Sequence, residues 1–161
     1  MKLSLVVPCY NEADNVKLFY EKVEDTFSEQ SFAYEYIFIN DGSRDQTYAN
    51  LKKLAEDHPT ANINVINFSR NFGKESAMYA GMKESVGDYT VIIDADLQQD
   101  PAYVLRMMQI LDEDDNLDSV AAFQEKRREG KVLRAFKSTF YHLINKISQV
   151  DVYKRQVYDT G

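Results

Sequence analysis

The sequence predicts an α/β domain with a mostly parallel sheet and helices on both faces. Short β-branched and aromatic runs alternate along the chain with segments whose apolar residues recur at helical spacing. The 161 residues are enough to bury the core of one domain, and no apolar run approaches the roughly 18 residues of a membrane span. We therefore expect one domain built from repeated strand–helix units.

Five strands are expected, each a short apolar run that stops at a turn signal. The first should end at Pro8, and the second at the Asp-Gly-Ser turn after Asn40. Because strands and helices alternate, the strands should run parallel, with their carboxyl ends at one edge of the sheet. The five runs are residues 3–7, 34–40, 63–69, 89–94 and 118–123.

An amphipathic helix should follow each of the first four strands. The third helix should cover about residues 75–86 and end at Gly87. The fourth should have Asp100 as its N-cap and Pro101 at its first helical position. The first helix should bury the apolar residues Val16, Phe19, Tyr20, Val23 and Phe27.

The charges are unevenly distributed along the chain, which has a net charge of -7. Residues 1–125 hold 10 of the 19 Lys and Arg residues and 23 of the 26 Asp and Glu residues. Residues 126–155 hold the other 9 bases and only two acids, Glu129 and Asp151. Such a basic segment indicates a local anionic partner, although a solvated helix face explains the charges equally well.

Cysteine usage and the N-terminus predict a cytoplasmic location. Cys9 is the one cysteine, so it has no internal disulfide partner and is expected to be a buried, inert thiol. The N-terminal apolar run is too short for a signal peptide and lacks a small-residue cleavage site. His58 and His142 have no second histidine or cysteine at ligand spacing, so neither is expected to bind metal.

Four unusual loops follow the predicted strands. Taken singly, each is explained as an ordinary turn or helix cap. In open parallel sheets, however, ligands bind beyond the carboxyl ends of the strands, and four such loops at one edge favour a binding site. The loops are PCYNE (8–12), NDGS (40–43), RNFGK (70–74) and DADLQ (94–98).

The last of these loops indicates a metal site. Asp94 and Asp96 share one face of a strand end, where both carboxylates can converge on one point with Gln98 beyond them. Oxygen ligands at this density suit a hard divalent cation, Mg²⁺ or Mn²⁺, and no nearby histidine or cysteine favours zinc. The cation would also offset the repulsion between the two carboxylates.

The remaining loops indicate a nucleotide. Asp41 can accept hydrogen bonds from a base or a ribose, and Arg70 and Lys74 can meet the charge of a diphosphate. The sequence contains neither G-x-G-x-x-G after the first strand nor G-x-x-x-x-G-K-[ST], so neither a dinucleotide fold nor a P-loop is supported. The phosphates are therefore expected to be held mainly by the metal.

The four motifs VVPCYNE, INDGSRDQT, RNFGKE and DADLQQDP occur in this order at separations that resemble the family 2 glycosyltransferases. The chain is most similar to their polyprenyl-phosphate branch, which includes dolichol-phosphate mannosyltransferases and bactoprenol glucosyltransferases. The similarity covers nearly all of residues 3–145. It implies a GT-A fold, with a Rossmann-like sheet, that binds a UDP- or GDP-linked sugar.

The resemblance also implies the role of each site residue. Asp94 and Asp96 would form the catalytic D-x-D element and, with Gln98, surround the Mg²⁺ or Mn²⁺ ion. Ala95 would lie close to the nucleotide through its backbone. Arg70 and Lys74 stay the expected diphosphate contacts. The nucleoside contacts would be Pro8, Tyr10, Asn11, Glu12 and Asp41.

The basic segment at residues 126–148 resembles the part of the family that binds the phosphate of the acceptor and lies against the membrane surface. Arg128 and Arg134 would pair with a lipid phosphate. The apolar stripe of the same segment would meet either the sheet or the bilayer interface. Residues 1–161 are expected to form one catalytic domain in which residues 1–125 are the nucleotide and metal part.

The resemblance implies an inverting transfer of a sugar to a polyprenyl phosphate, with no nucleic acid partner. The alternatives are a soluble family 2 enzyme with a hydroxyl acceptor and a nucleotide-sugar-binding fragment without turnover. Residues 149–161 are unlike the family, where Asp-Thr-Gly continues into Asp-Phe-Arg-Leu and two membrane helices. We therefore expect a truncated chain whose full-length form lies at the inner face of the cell membrane.

Overall fold

The computed structural model describes residues 1–114 and 116–122. Their four strands form one parallel sheet in the spatial order β3-β2-β1-β4, which confirms the expected parallel α/β architecture. The strand order reverses at β1, because the chain adds β2 and β3 on one side and then crosses to place β4 on the other. The strands are β1 (Lys2–Cys9), β2 (Ala33–Asn40), β3 (Ile63–Asn67) and β4 (Tyr89–Ile92).

Helices cover both faces of the sheet. Alternate residues of β1 and β2 point to opposite faces, so Val7 and Phe38 join one core cluster and Val6 and Ile39 join the other. The first cluster contains side chains of α1, α2 and α4, whereas the second contains Ala77 of α3. The helices are α1 (Val16–Phe27), α2 (Thr47–Asp57), α3 (Lys74–Glu84) and α4 (Ala102–Glu113).

The inner face of one helix and the start of another are confirmed by the structure. The five residues expected on the inner face of α1 are all buried. At α4, Pro101 has helical dihedral angles immediately before the helix, and the Asp100 carboxylate accepts a hydrogen bond of 3.1 Å from the Ala102 N–H. Asp100 therefore caps the helix, as the sequence predicts.

The expectation that β1 ends at Pro8 is wrong, because the strand continues to Cys9. The Val6 carbonyl accepts a hydrogen bond from Ile93 N–H, so even-numbered residues of β1 direct their backbone polar groups toward β4. The register with β4 runs only as far as Val6, opposite Ile92. Pro8 thus lies where β4 has already ended, and its missing N–H costs no ladder bond.

The third helix ends at Glu84, earlier than expected, and Gly87 does not cap it. Ser85 already has extended backbone, and the next N–H, that of Val86, donates to the Glu35 carboxylate at 3.3 Å. This contact across 51 residues diverts the chain from the helix. The helix therefore ends because of a tertiary hydrogen bond rather than because of the glycine.

The fifth strand is not found among residues 118–122, the described part of that prediction. These residues, including Ala121 and Ala122, are largely exposed. A short run of small, exposed residues buries little apolar surface, so packing gives it little reason to be extended. Phe123 lies outside the described residues.

Glu35 lies near the start of β2, at the end of the sheet opposite the carboxyl ends of the strands. Its buried carboxylate accepts hydrogen bonds from Lys2 Nζ at 2.8 Å, Ser4 Oγ at 2.6 Å and the Val86 N–H. Burial acts to raise the pKa of Glu35, but these hydrogen bonds together hold the pKa below its ordinary value. Glu35 therefore stabilises the fold in its ionised form.

Replacing Glu35 by Gln should lower the free energy of unfolding by about 2 kcal/mol near neutral pH, because Lys2 loses its charged partner. A carboxyl group with a depressed pKa contributes stability above its unfolded pKa, about 4.3 for Glu, and loses it as the pH falls through the folded value. The difference between wild type and variant should therefore shrink below about pH 4 in urea denaturation. Glu29→Gln, at an exposed glutamate, is the matched control. If the difference in unfolding free energy between wild type and Glu35→Gln stays constant into the acid range, Glu35 does not stabilise the fold in its ionised form.

Candidate functional site

A cleft of about 440 Å³ lies at the carboxyl ends of the strands, next to the point where the strand order reverses. This is the position at which open parallel sheets bind their ligands. Residues from all four unusual loops contribute to its wall. The lining residues are Pro8, Cys9, Tyr10, Glu12, Asp41, Asn71, Gly73, Lys74, Ala77, Asp94 and Asp96.

Hydrogen bonds join the first loop, after β1, to the loop after β2. Asn11 has a positive φ of 57°, a left-handed conformation that asparagine tolerates better than most residues. Its N–H donates to Ser43 Oγ at 3.0 Å, and its side-chain oxygen accepts from the Arg44 N–H at 2.9 Å. Asn11 thus fixes the loop and leaves Tyr10 at the cleft with 41% of its surface exposed.

A second set of hydrogen bonds orients Glu12. Its N–H donates to Thr47 Oγ1 at 2.8 Å, and that hydroxyl donates to the Asp45 carboxylate at 2.5 Å. Burial acts to raise the pKa of Asp45, but hydrogen bonds from Thr47 and from the Ala13 N–H outweigh it and lower the pKa. Asp45 and Thr47 were not among the expected site residues, although Asp-x-Thr before a helix is a recognisable turn.

Asp41 holds the third loop in place. Its carboxylate is buried, and its two oxygens accept hydrogen bonds from the N–H groups of Phe72, at 2.7 Å, and Gly73, at 3.0 Å. Gly42 makes this approach possible, because a Cβ there would lie 2.2 Å from the carbonyl carbon of Arg70. Asp41 therefore lines the cleft and also positions the loop that leads into α3.

The structure separates the two basic residues that were expected to contact a diphosphate. The Arg70 guanidinium lies over the ring of Phe72, 4.1 Å from its centroid, and donates to the Asn71 carbonyl. Arg70 does not line the cleft, whereas Lys74, the first residue of α3, does. The N-terminus of α3 therefore brings one of these two cations to the site.

The fourth loop presents two carboxylates. Asp94 and Asp96 line the cleft, while Ala95 between them is buried and points into the core. Leu97 has a positive φ of 58° and packs against the same core. The Gln98 N–H donates to Asp96 Oδ1 at 3.0 Å, and the Gln98 side chain is exposed outside the cleft wall. Strained backbone at Leu97 thus turns the chain directly after the two carboxylates.

Lys74 and Asp94 form an ion pair inside the cleft. Lys74 Nζ lies 2.6 Å from Asp94 Oδ1 and 2.8 Å from Oδ2, so the ammonium contacts both carboxylate oxygens. About half of the lysine side chain is exposed. The pair links the start of α3 to the end of β4.

The donor atoms of the cleft fit a hard divalent cation. Within residues 1–114 and 116–122, no three His, Cys, Asp or Glu side chains lie close enough together to hold a metal by themselves. Asp94 and Asp96 supply oxygen ligands only and would leave positions open for water and phosphate oxygens, as Mg²⁺ sites usually do. The cleft is lined by four carboxylates and one cation, so a diphosphate needs a further positive charge to enter it.

The cleft contains some of the expected residues and not others. The expected residues in its wall are Pro8, Tyr10, Glu12, Asp41, Lys74, Asp94 and Asp96; those outside it are Asn11, Arg70, Ala95 and Gln98. Arg128, Arg134 and the whole basic segment lie outside the described residues. Four further lining residues were not predicted as contacts, namely Cys9, Asn71, Gly73 and Ala77.

Cys9 illustrates why such residues were missed. It is buried as expected, and its burial raises the pKa of the thiol further above neutrality, so it is the inert residue that was predicted. Its place in the cleft wall follows only from its position at the end of β1. Asn71 and Gly73 lie within the RNFGK loop, which was the one available signal for them, whereas Ala77 lies one helical turn into α3.

Comparison with known proteins identifies the family. The model of Glycosyl transferase family 2 matches residues 4–159. The putative glycosyltransferase CsbB of Bacillus subtilis is 38% identical over 150 residues, which cover 93% of this chain and 44% of that protein. A prophage bactoprenol glucosyl transferase homolog of Escherichia coli is 40% identical over 149 residues, 92% of this chain and 47% of that protein. The chain spans about half the length of these relatives.

Solved structures agree on the fold. The mannosyltransferase PcManGT from Pyrobaculum calidifontis, in complex with GDP-Man and Mn²⁺, is 29% identical with a TM-score of 0.50, over 58% of this chain and 27% of that one. TarS 1-349 of S. aureus, in complex with UDP-GlcNAc, is 20% identical with a TM-score of 0.54, over 80% of this chain and 39% of that one.

The parallel sheet and these neighbours define the GT-A class of glycosyltransferase fold, as the sequence predicts. The chain belongs to glycosyl transferase family 2. Within the described part of the chain, no helix is both long enough and apolar enough to cross a membrane.

Proposed function

We propose that the protein transfers a sugar, with inversion, from a nucleotide diphosphate sugar to a polyprenyl phosphate at the inner face of the cell membrane. The observation that carries the proposal is the convergence of Asp94, Asp96 and Lys74 in one cleft with Tyr10 at its exposed rim. The names of the bactoprenol glucosyl transferase relatives support the acceptor.

The first two loops would bind the nucleoside. Tyr10 offers an exposed aromatic ring on which a base can stack. Pro8 and Glu12 line the same wall, and Asp41 keeps acceptor capacity because each of its oxygens receives only one described hydrogen bond. Asn11 would act mainly by holding this loop.

The fourth loop would hold the diphosphate through a divalent cation, Mg²⁺ or Mn²⁺. Asp94 and Asp96 would supply two carboxylate ligands, with Gln98 and the Ala95 backbone close by. When bound, the cation supplies Lewis-acid stabilisation of the departing nucleoside diphosphate. Lys74 would add a positive charge at the same diphosphate, and Arg70 would have to leave the Phe72 ring to reach it. The GDP-Man and Mn²⁺ bound by the mannosyltransferase neighbour support this arrangement.

The acceptor decides whether a general base is needed. A phosphate is already an anion at neutral pH, so its oxygen can attack the anomeric carbon without losing a proton, whereas a hydroxyl acceptor requires a carboxylate base. Arg128 and Arg134 would pair with the lipid phosphate.

A titration with UDP and with GDP, with and without Mn²⁺, tests the nucleotide and metal part. We expect binding of at least one nucleotide to depend on Mn²⁺. The absence of any metal-dependent binding would contradict the proposed nucleotide and metal site. Incubation with labelled UDP-glucose or GDP-mannose and polyprenyl phosphate then tests the acceptor. Label should appear in the organic phase, and transfer only to a polysaccharide hydroxyl would contradict the proposed acceptor.

A further inference from the structure

Lys74 contacts both oxygens of the Asp94 carboxylate, which the proposed cation would also bind. Its ammonium lies within 2.8 Å of both Oδ1 and Oδ2 of Asp94. A divalent ion bound to either oxygen would lie about 2.1 Å from it, and an ammonium and a metal ion on the same carboxylate repel each other. Binding of the cation therefore requires the Lys74 side chain to move.

The backbone that carries Lys74 is held in place, so only its side chain is free to move. The two residues before it, Phe72 and Gly73, donate their N–H groups to the buried Asp41 carboxylate. Further along α3, a Cβ on Gly81 would lie 2.3 Å from Val6 Cγ1, which shows that the helix lies directly on the sheet. The lysine ammonium can thus change partner without any change in the fold.

We infer that Lys74 couples the binding of the cation to the binding of the diphosphate by exchanging one anionic partner for another. The inference rests on the proposed function and concerns the same cleft. Lys74 pairs with Asp94 until the cation takes that carboxylate, and then pairs with a diphosphate oxygen. Because Lys74 is the one cation among the lining residues described, no other side chain of the cleft wall can take this role.

The exchange predicts positive cooperativity between the two ligands. Either ligand alone must break the Lys74–Asp94 pair, whereas the two together break it once. A half-exposed ion pair of this kind changes an affinity by roughly two- to fivefold. Removing the ammonium should therefore increase the affinity for the cation in the absence of nucleotide by roughly two- to fivefold. Nucleotide should still increase the affinity for the cation, but by a factor that is smaller than in the wild type by a similar amount.

The test is a Mn²⁺ titration followed by the electron paramagnetic resonance signal of free Mn²⁺, with and without saturating UDP or GDP. Lys74→Met removes the ammonium and keeps an unbranched side chain. Lys83→Met removes the same charge at the other end of α3 and is the matched control. Lys74→Arg keeps a cation that can reach both partners and should restore the wild-type coupling.

Of the three variants, only Lys74→Met is expected to bind Mn²⁺ more tightly than the wild type in the absence of nucleotide. It should also be the only one with weaker coupling between Mn²⁺ binding and nucleotide binding. Unchanged or weaker Mn²⁺ binding by Lys74→Met without nucleotide, or coupling equal to that of Lys83→Met, would overturn the role of Lys74. Nucleotide-dependent Mn²⁺ binding by the wild type would stand in that case, so the proposed function would survive. If the wild type binds no Mn²⁺ even with nucleotide, the inference and the proposed metal site both fail.

Discussion

Replacing Asp96 by Asn is expected to abolish the metal dependence of nucleotide binding. The substitution keeps the size of the side chain and its hydrogen bond from the Gln98 N–H but removes one of the two carboxylates proposed as cation ligands. Loss of groups that only support a metal ligand costs 10- to 100-fold in affinity, so loss of a ligand itself should cost more than about 100-fold. Calorimetric titration of UDP or GDP with Mn²⁺ measures the effect.

Asp100→Asn is the matched control for this prediction. It makes the same chemical change four residues further along, at an exposed residue outside the cleft wall. Asparagine caps helices as well as aspartate does, so α4 should be unaffected and binding should equal that of the wild type. Equal Mn²⁺ dependence in Asp96→Asn and Asp100→Asn would remove Asp96 from the site.

Replacing Gly42 by Ala is expected to disrupt the third loop and with it the cleft. A Cβ at Gly42 would lie 2.2 to 2.6 Å from backbone atoms of Arg70 and Asn71, and the φ of +61° adds strain for any L side chain. Backbone cannot move aside as a flexible side chain can, so we expect a loss of about 3 kcal/mol in unfolding free energy. Nucleotide binding should fall further, because the contacts of Asp41 with the loop are lost.

Gly73→Ala separates the cost of the steric clash at Gly42 from the cost of backbone strain. Gly73 also has a positive φ, +97°, but a Cβ there would meet only Glu75 Oε2 at 3.6 Å, which is ordinary contact. It should therefore show the cost of backbone strain, about 1 to 2 kcal/mol, without displacing the loop after Gly42. Urea denaturation of both variants measures the difference, and a Gly42→Ala variant as stable as Gly73→Ala would contradict the close packing of the two loops.

The sequence predicts most of the fold because local patterns decide most of it. The runs that form β2 and β3 and the apolar face of α1 follow from residue type and spacing alone. Two of the errors arise where a distant residue decides. The third helix ends early because Glu35 takes the Val86 N–H, and β1 continues through Pro8 because β4 is too short to need its N–H.

The sequence predicts which loops form the site, but it does not predict which side chains contact one another there. Because the carboxyl ends of parallel strands meet at one edge, the four loops were expected to converge, and they do. Arg70 and Lys74 belong to one motif, and only the folded backbone shows that Lys74 faces the cleft while Arg70 covers Phe72. Likewise, the hydrogen bonds of Asp41 to the third loop join residues 31 and 32 positions apart.

The most direct test of the account is whether a cation at Asp94 and Asp96 contacts the diphosphate. Pulsed electron nuclear double resonance of Mn²⁺ detects phosphorus nuclei whose oxygens are bound to the metal. With protein in excess over Mn²⁺ and UDP or GDP, we predict a phosphorus coupling that differs from that of the free Mn²⁺–nucleotide complex and is lost in the Asp94→Asn, Asp96→Asn double variant. A spectrum identical to that of the free complex, or unchanged in the double variant, would contradict the account.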